Sequence, residues 1–435
     1  MRFCEPPPDI LGAVSRLDDA TPGAARIATP EWRAARIFER LDTLFEIGRD
    51  AGTNRPGLGA GEQRAFELVA GWMREGGLDV SFDPAGNVAG RLQGSELDLP
   101  EIWSGSHLDT PPDGGRFDGA LGTLLALDAA EAIGAGALPR RTVAAMAFRL
   151  EEGPRFGRGY FGSRAVCGAL DDDEGELVDS DGITLAQAFA ALGYGELPTA
   201  GWLDPPPAAF VEAHIEQGPT LAAMGAPLGI VTTIAGMAGL EFTFTGRRGH
   251  AGTVQMELRS DALGAAARFV VGAHDVARSL PGAVSTIGRL TVAPGATNTI
   301  PERAELFADL RAPDDERVEA LVAGVTTAAR DAAKADNCEV VIEPSWRYEA
   351  VAMSDPPRAA LQRAVAALGI APVELSSGAG HDAAILALAG VPSAMLFVRS
   401  DAGGVSHAPE ESTGIDAVVL AVRALEGALR ELAGA

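Results

Sequence analysis

Residues 102–110 read Ile-Trp-Ser-Gly-Ser-His-Leu-Asp-Thr, an apolar strand start that runs into a polar segment carrying a histidine and an aspartate two residues apart. Downstream, a helical pattern covers about Gly119 to Ala132, and a second apolar strand runs from Thr142 to Leu150. Upstream, Phe66, Val69 and Met73 recur at helical spacing before Gly76-Gly77 supplies a stop. Leu78, Val80 and Phe82 then alternate as in a half-buried strand, and Pro84-Ala85-Gly86-Asn87 turns the chain. Strands alternating with helices predict an α/β fold, with a largely parallel sheet and helices on its faces.

Residues 237–347 follow another pattern. Leu240, Phe242 and Phe244 alternate, an Ala-rich helix covers roughly Leu258 to Leu280, and strands are predicted at Val284–Val292 and Ala304–Leu310. A helix near Glu316–Lys334 and a strand near Cys338–Ile342 complete the order βαββαβ, that of a ferredoxin-like split βαβ unit. The first pattern resumes at Arg358 and ends in a helix over Asp416–Leu432. The expected organisation is therefore an extension over residues 1–30, one domain built from 31–236 and 348–435, and a smaller α+β domain inserted at 237–347.

With 35 basic and 60 acidic residues the formal charge is −25, and 47% of residues are hydrophobic, a globular composition. The acidic balance disfavours nucleic acid and anionic membranes as partners. No run of eighteen apolar residues predicts a membrane span. The prolines and acids of Met1–Ile10 do not resemble a secretory leader, so a cytoplasmic location is expected. Cys4, Cys167 and Cys338 are too few and too scattered for a disulfide framework or a thiolate metal cluster.

Five of the six histidines, His107, His214, His250, His381 and His407, lie in short Gly-rich or acidic stretches, where α/β folds place their chemistry. His107 and Asp109 share a face if the strand persists, so Asp109 can fix the imidazole tautomer. Asp118 can reach the same point from a helix start; its alternative is a helix N-cap. Glu151 and Glu152 close a strand as adjacent carboxylates, one able to ligate metal and the other to act as general base. His214 and His407 follow strand-like segments. The set of His, Asp, Glu, His and His offers nitrogen and oxygen without thiolate, which suits two divalent ions such as Zn²⁺, Mn²⁺, Co²⁺ or Ni²⁺ sharing one carboxylate.

The series SHLDT (Ser106–Thr110), GGRFDG (Gly114–Gly119), EEGPRFG (Glu151–Gly157), HIEQGP (His214–Pro219), GHAGT (Gly249–Thr253), ATNTIPERAE (Ala296–Glu305), SGAGHDA (Ser377–Ala383) and SHAPEE (Ser406–Glu411) resembles the amidase, hydantoinase and carbamoylase branch of the M20 metallopeptidase superfamily. The likeness runs from about Trp32 to the C-terminus. It implies a catalytic α/β domain interrupted by a dimerisation or lid domain, two metal ions per subunit and a homodimer. His107, Asp118 and His214 would hold one ion, and Asp118, Glu152 and His407 the other. Glu151 would be the general base and Asp109 the orienter of His107. Gln217, His250, Asn298, Arg311 and the backbone at Gly378 would bind substrate, with His250 reaching the partner's site.

The implied reaction is hydrolysis of a linear carbamoyl or ureido amide. An N-carbamoyl-L-amino acid leads, then allantoate or a β-ureido acid, then an aminoacyl peptide; a non-catalytic dimer is the rival from another class. Arg311 would clamp a substrate carboxylate, or else pair with Asp309 on its own strand face. Asn298 has a turn-forming alternative, Gln217 a backbone-capping one, and His381 a purely local hydrogen-bonding one. Gly249, Val254-Gln255 and Met237-Ala238-Gly239 depart from the branch's usual residues, and all lie away from the metal motifs.

Overall fold

A computed structural model describes residues 29–49 and 54–435. The expected extension lies, up to residue 28, outside the described residues. In chain order the elements open with helices α1 (Pro30–Phe45) and α2 (Ala60–Glu75) and strands β1 (Asp79–Phe82), β2 (Val88–Leu92) and β3 (Ile102–His107). Next come α3 (Ala120–Gly134), β4 (Val143–Phe148), α4 (Phe161–Cys167), α5 (Leu185–Ala191), β5 (Ala209–Ile215), α6 (Thr220–Met224) and β6 (Leu228–Ile234). Then follow β7 (Gly236–Thr245), β8 (Gly249–His250), α7 (Ala262–Ser279), β9 (Val284–Ala293), β10 (Thr299–Ile300), β11 (Arg303–Ala312), α8 (Asp315–Ala335), β12 (Glu339–Tyr348) and β13 (Val351–Ala352). The chain closes with α9 (Asp355–Ala367), β14 (Glu374–Ser377), α10 (Asp382–Leu388), β15 (Ser393–Val398) and α11 (Ile415–Ala433).

Two compact units form. The first takes the described residues up to Ile230 with Ser354–Glu374 and His381–Ala435, and the second takes Val231–Met353 and Leu375–Gly380. In the first unit the strand order is β1-β2-β4-β3-β5-β15-β6. β3 runs parallel to β4 and β5, and β5 parallel to β15, while β1–β2 and β2–β4 are antiparallel, so the sheet is mixed. Every residue of β3, β4, β5 and β15 is buried. That is why these segments read as continuous apolar runs instead of alternating ones. On one face Val143, Val211 and Leu396 share a core with Leu121, Leu124 and Leu125 of α3 and Val418, Val422 and Leu425 of α11. α11 buries one stripe at helical spacing, whereas α3 is buried nearly all round, consistent with its uniform apolarity.

The second unit is a four-stranded antiparallel sheet in the order β12-β7-β11-β9 with α7 and α8 on one face. Numbered along the unit, that is the 4-1-3-2 order of a split βαβ unit. Along β11 the residues alternate between buried and half-buried, the period-2 signature of a sheet covered on one side. α7 starts at Ala262, four residues later than the pattern predicts, because the Asp261 carboxylate accepts from Leu263 N and Gly264 N and caps it there. Such a cap contributes about 1 kcal/mol. β12 outruns its predicted end by six residues; a register shift between Pro344 and Trp346 lets it keep pairing with β7 past the proline. Opposite that shift a Cβ on Gly239 would run into the Trp346 ring, so glycine is required there.

One buried ion pair braces the strand that carries the two adjacent glutamates. Arg149 at the end of β4 is fully buried; its Nη1 meets Glu62 Oε2 of α2 at 2.9 Å, and its other nitrogens donate to Gly86 O, Gln63 Oε1 and Tyr194 Oη. Glu62 also accepts from Leu58 N and from Leu150 N, the latter at 2.8 Å. Glu62→Ala strands the Arg149 charge and two backbone donors, and the expected loss is about 3–5 kcal/mol. A urea midpoint unchanged from wild type would remove this pair from the list of fold determinants.

Candidate metal centre

The parallel strands end at one edge, and the candidate residues lie there. His107 is the last residue of β3, Glu151 and Glu152 follow β4, His214 lies at the end of β5, and His407 sits on the segment between β15 and α11. Outside the carboxyl ends of parallel strands is where open α/β sheets bind ligands. Asp118 comes from the 108–119 loop, and the residue that makes its placement possible is Gly119. This glycine has φ +63°, and a Cβ on it would collide with the His107 ring. Gly119, not Asp118, is the N-cap residue of α3, so the capping alternative for Asp118 does not occur.

Asp118 is the hub. Its Oδ1 lies 3.4 Å from His107 Nε2 and 3.2 Å from His214 Nε2, and its Oδ2 lies 3.3 Å from His407 Nε2. His407 Nε2 is also 3.3 Å from Glu152 Oε1. Among the described residues, donor atoms of His107, Asp118 and His214 lie within 4.8 Å of one another, as do those of Asp118, Glu152 and His407. This all-nitrogen-and-oxygen donor set, sharing one carboxylate between two groups, fits a pair of divalent cations. All of these side chains are buried except His407, which is 52% exposed and marks the open side.

Asp109 behaves differently from expectation. His107 Nδ1 is 3.1 Å from the Asp109 backbone oxygen and 3.5 Å from its carboxylate. The carboxylate oxygens accept instead from Glu151 N and Glu152 N, each at 3.0 Å. The backbone of Asp109 therefore fixes the His107 tautomer, and its side chain fixes the turn that bears the two glutamates. That turn begins at Leu150 with φ +46°, a left-handed conformation for a branched residue.

The electrostatics follow from packing carboxylates together out of water. Burial raises the Glu151 carboxyl well above its ordinary range, and Glu152 and Asp382 add to the effect. Glu152 is pushed up to about 7 by burial and by Asp118. Burial would raise Asp118 too, but the three imidazoles hold it well below the usual carboxylate range. His407 rises to about 9 through its bond to Asp118 and the charge of Glu152. Burial opposes charge on His107, yet Glu151, Asp109 and Asp118 keep it well above its ordinary value.

Gln217 has φ +57° and points its Nε2 at Asp118 Oδ2, 2.8 Å away, a contact with the hub instead of a local cap. His381 packs edge-on against His214 with ring centroids 4.7 Å apart, and burial followed by the His214 charge holds its pKa well below ordinary. The remaining candidates lie in the second unit. His250 is exposed on β8, paired in register with Thr299, next to Asn298, whose backbone oxygen accepts from Ala251 N. Arg311 is gripped in bidentate fashion by Asp309, at 2.8 Å for both bonds, and its Nη1 donates to Gly378 O at 2.9 Å. The pairing alternative for Arg311 is thus observed, alongside the contact to the Gly378 backbone.

Three residues essential to this geometry carry no role in the sequence reading. Glu411 Oε2 accepts from Phe117 N at 2.7 Å and Asp118 N at 3.0 Å, although its motif, SHAPEE, is visible. Arg55, fully buried, donates to Leu108 O and Leu44 O, and burial brings its pKa down to about 10 even beside Asp109 and Asp118. Glu62 braces the glutamate turn from 88 residues away. Nothing local in the sequence marks the last two.

Comparison with known proteins identifies the family. The model of peptidase family M20/M25/M40 matches residues 103–431. The N-carbamoyl-L-amino acid amidohydrolase of Geobacillus stearothermophilus is 40% identical over 88% of this chain and 95% of its own length. The allantoate amidohydrolase of Bacillus subtilis is 36% identical over 83% and 88%. An amidase of the hydantoinase/carbamoylase family from Burkholderia multivorans superposes with a TM-score of 0.85 at 31% identity, covering 92% of this chain and 98% of its own. The chain belongs to the M20 superfamily, in its amidase, hydantoinase and carbamoylase branch.

Proposed function

We propose that this protein is a two-metal amidohydrolase that cleaves the linear C–N bond of a carbamoyl or ureido compound, foremost an N-carbamoyl-L-amino acid, to amino acid, ammonia and carbon dioxide. The observation that carries the reading is the Asp118 carboxylate shared among His107, His214 and His407, with Glu152 on His407 and Glu151 alongside. The names of the relatives that are 40% and 36% identical support the substrate class and rank N-carbamoyl amino acids before allantoate.

His107, Asp118 and His214 would hold one ion, and Asp118, Glu152 and His407 the other. The ions, Zn²⁺, Mn²⁺, Co²⁺ or Ni²⁺, would supply Lewis-acid polarisation of the substrate carbonyl and lower the pKa of water. Glu151 takes the proton of the attacking water and returns it to the departing nitrogen. The burial that raises its pKa well above the usual carboxylate range suits a group that must both accept and donate. Asp109 keeps Glu151 and Glu152 at fixed spacing through their backbone N–H groups. His250 stabilises charge developing on the carbonyl oxygen. Arg311, stiffened by Asp309, would bind the substrate carboxylate beside the Gly378 backbone, and Gln217 and Asn298 would complete the polar contacts. The second unit serves as the dimerisation and lid domain of a homodimer, and residues 31–236 with 348–435 form the catalytic domain.

The deciding experiment supplies protein reconstituted with Mn²⁺ or Zn²⁺ with N-carbamoyl-L-amino acids, N-carbamoyl-β-alanine, allantoate and dipeptides, and measures ammonia and free amino acid. Ammonia from the N-carbamoyl-L-amino acids is expected. Ammonia from allantoate alone would shift the assignment to the ureido branch, and amino acid without ammonia would make it a peptidase. Glu151→Gln should lower kcat by at least about 10²-fold with metal content unchanged; near-normal turnover would take the proton-transfer role away from Glu151. Arg311→Ala should raise KM for carboxylate substrates with little change in kcat. If steady-state kinetics stay as in wild type while the melting temperature drops, Arg311 only braces Asp309.

A further inference from the structure

We infer that Glu411 is the positioning residue that sets the spacing between Asp118 and His407 and thereby holds the second ion's donor set together; the assignment rests on the two-ion reading above. The two donors arrive on unrelated segments. Asp118 sits on a loop before α3, and His407 on a segment that is neither helix nor strand from Arg399 to Gly414, at φ +53°. Glu411 is buried between them and uses both oxygens. Oε2 accepts from Phe117 N and Asp118 N, at 2.7 and 3.0 Å, and so fixes the backbone that aims the Asp118 carboxylate. Oε1 accepts from Ser406 Oγ at 2.8 Å, and the same hydroxyl lies 3.4 Å from Asp118 Oδ2. One carboxylate thus links the hub aspartate to the residue preceding His407.

The two donor sets depend on this link unequally. His107 and His214 sit at the ends of buried strands, and their Nδ1 atoms lie 3.1 and 2.9 Å from the backbone oxygens of Asp109 and Ile215. The His407 side chain is half exposed, and among the described residues its Nε2 lies 3.3 Å from Asp118 Oδ2 and from Glu152 Oε1, with no backbone carbonyl holding its Nδ1. Removing Glu411 leaves two buried N–H groups unpaired on the Asp118 side and releases Ser406 on the other. The consequence is selective: the set of Asp118, Glu152 and His407 loosens, while His107 and His214 stay where their strands put them.

The test titrates metal-free full-length protein with Co²⁺, following visible absorption and heat, and records the melting temperature of the metal-free form. Wild type should take up two ions. Glu411→Ala should bind the first ion, which His107 and His214 still anchor, with a smaller loss than the second, which should weaken about 10–100-fold, the usual range for losing a group that orients a metal ligand. Glu411→Gln should recover most of that loss, because its carbonyl oxygen can still accept both backbone N–H groups and its amide can donate to Ser406 Oγ. Two ions bound to Glu411→Ala as in wild type would overturn the assignment. So would parallel loss of both ions with a lower melting temperature, which would reduce Glu411 to a fold-stabilising group. Should Glu411→Ala fail to fold, Ser406→Ala carries the test: the second ion alone must weaken, and an unaltered titration overturns the assignment. Wild type binding fewer than two ions would instead remove the two-ion reading, and this assignment with it.

Discussion

Concentrating carboxylates in a dry site is the constraint on which the rest of this structure depends. Asp109, Asp118, Glu151, Glu152 and Glu411 are all buried at one end of the sheet, and burial disfavours each negative charge. The protein answers with fixed donors in place of solvent. Three imidazoles surround Asp118, pairs of backbone N–H groups satisfy Asp109 and Glu411, and the fully buried Arg55 adds a positive charge nearby. Burial still raises the carboxyls of Glu151, Glu152 and Glu411, Glu152 to about 7, whereas the imidazoles hold Asp118 well below the usual carboxylate range. Neighbouring carboxylates whose surroundings push their pKa values apart can divide acid–base work from the holding of charge.

The fold supplies rigidity where the donors attach and strain where they must be aimed. His107 and His214 sit on strands buried on both faces, so their positions follow from the core of the first unit. The residues that turn the chain sharply into the site, Leu150, Gln217 and His407, adopt positive φ without being glycine. Each costs about 1–3 kcal/mol and persists only where neighbouring bonds over-determine it. At Leu150 those bonds come from Glu62 and Asp109, and near His407 they come through Glu411 and Ser406. The strain and its restraints therefore belong to the same few carboxylates.

The second unit is constructed on a different principle. Its sheet covers one face with α7 and α8 and is half-buried or exposed along β9 and β12, so period-2 alternation survives in the sequence. Asp261 and Asp314 cap its two helices with their own side chains. These local signals made its order of elements readable, while the bulge that extends β12 past Pro344 left no periodic trace.

What the sequence by itself determined were features with short-range causes: the alternation of strands and helices, the βαββαβ order, and the residue types clustered in Gly-rich and acidic stretches at strand ends. His107, Asp118, Glu152, His214 and His407 were legible because chemistry restricts which side chains can bind a metal, and the quoted motifs brought them out in order. Only the tertiary structure decided that the Asp109 carboxylate grips the glutamate turn while its backbone meets His107, that Arg311 is locked by Asp309, and that Gln217 faces Asp118. It alone revealed Glu62, Arg55 and Glu411. The physical reason is that a hydrogen bond spanning 88 or 293 residues leaves no period and no spacing in the chain. Which oxygen meets which backbone N–H is settled by packing, after the elements have formed.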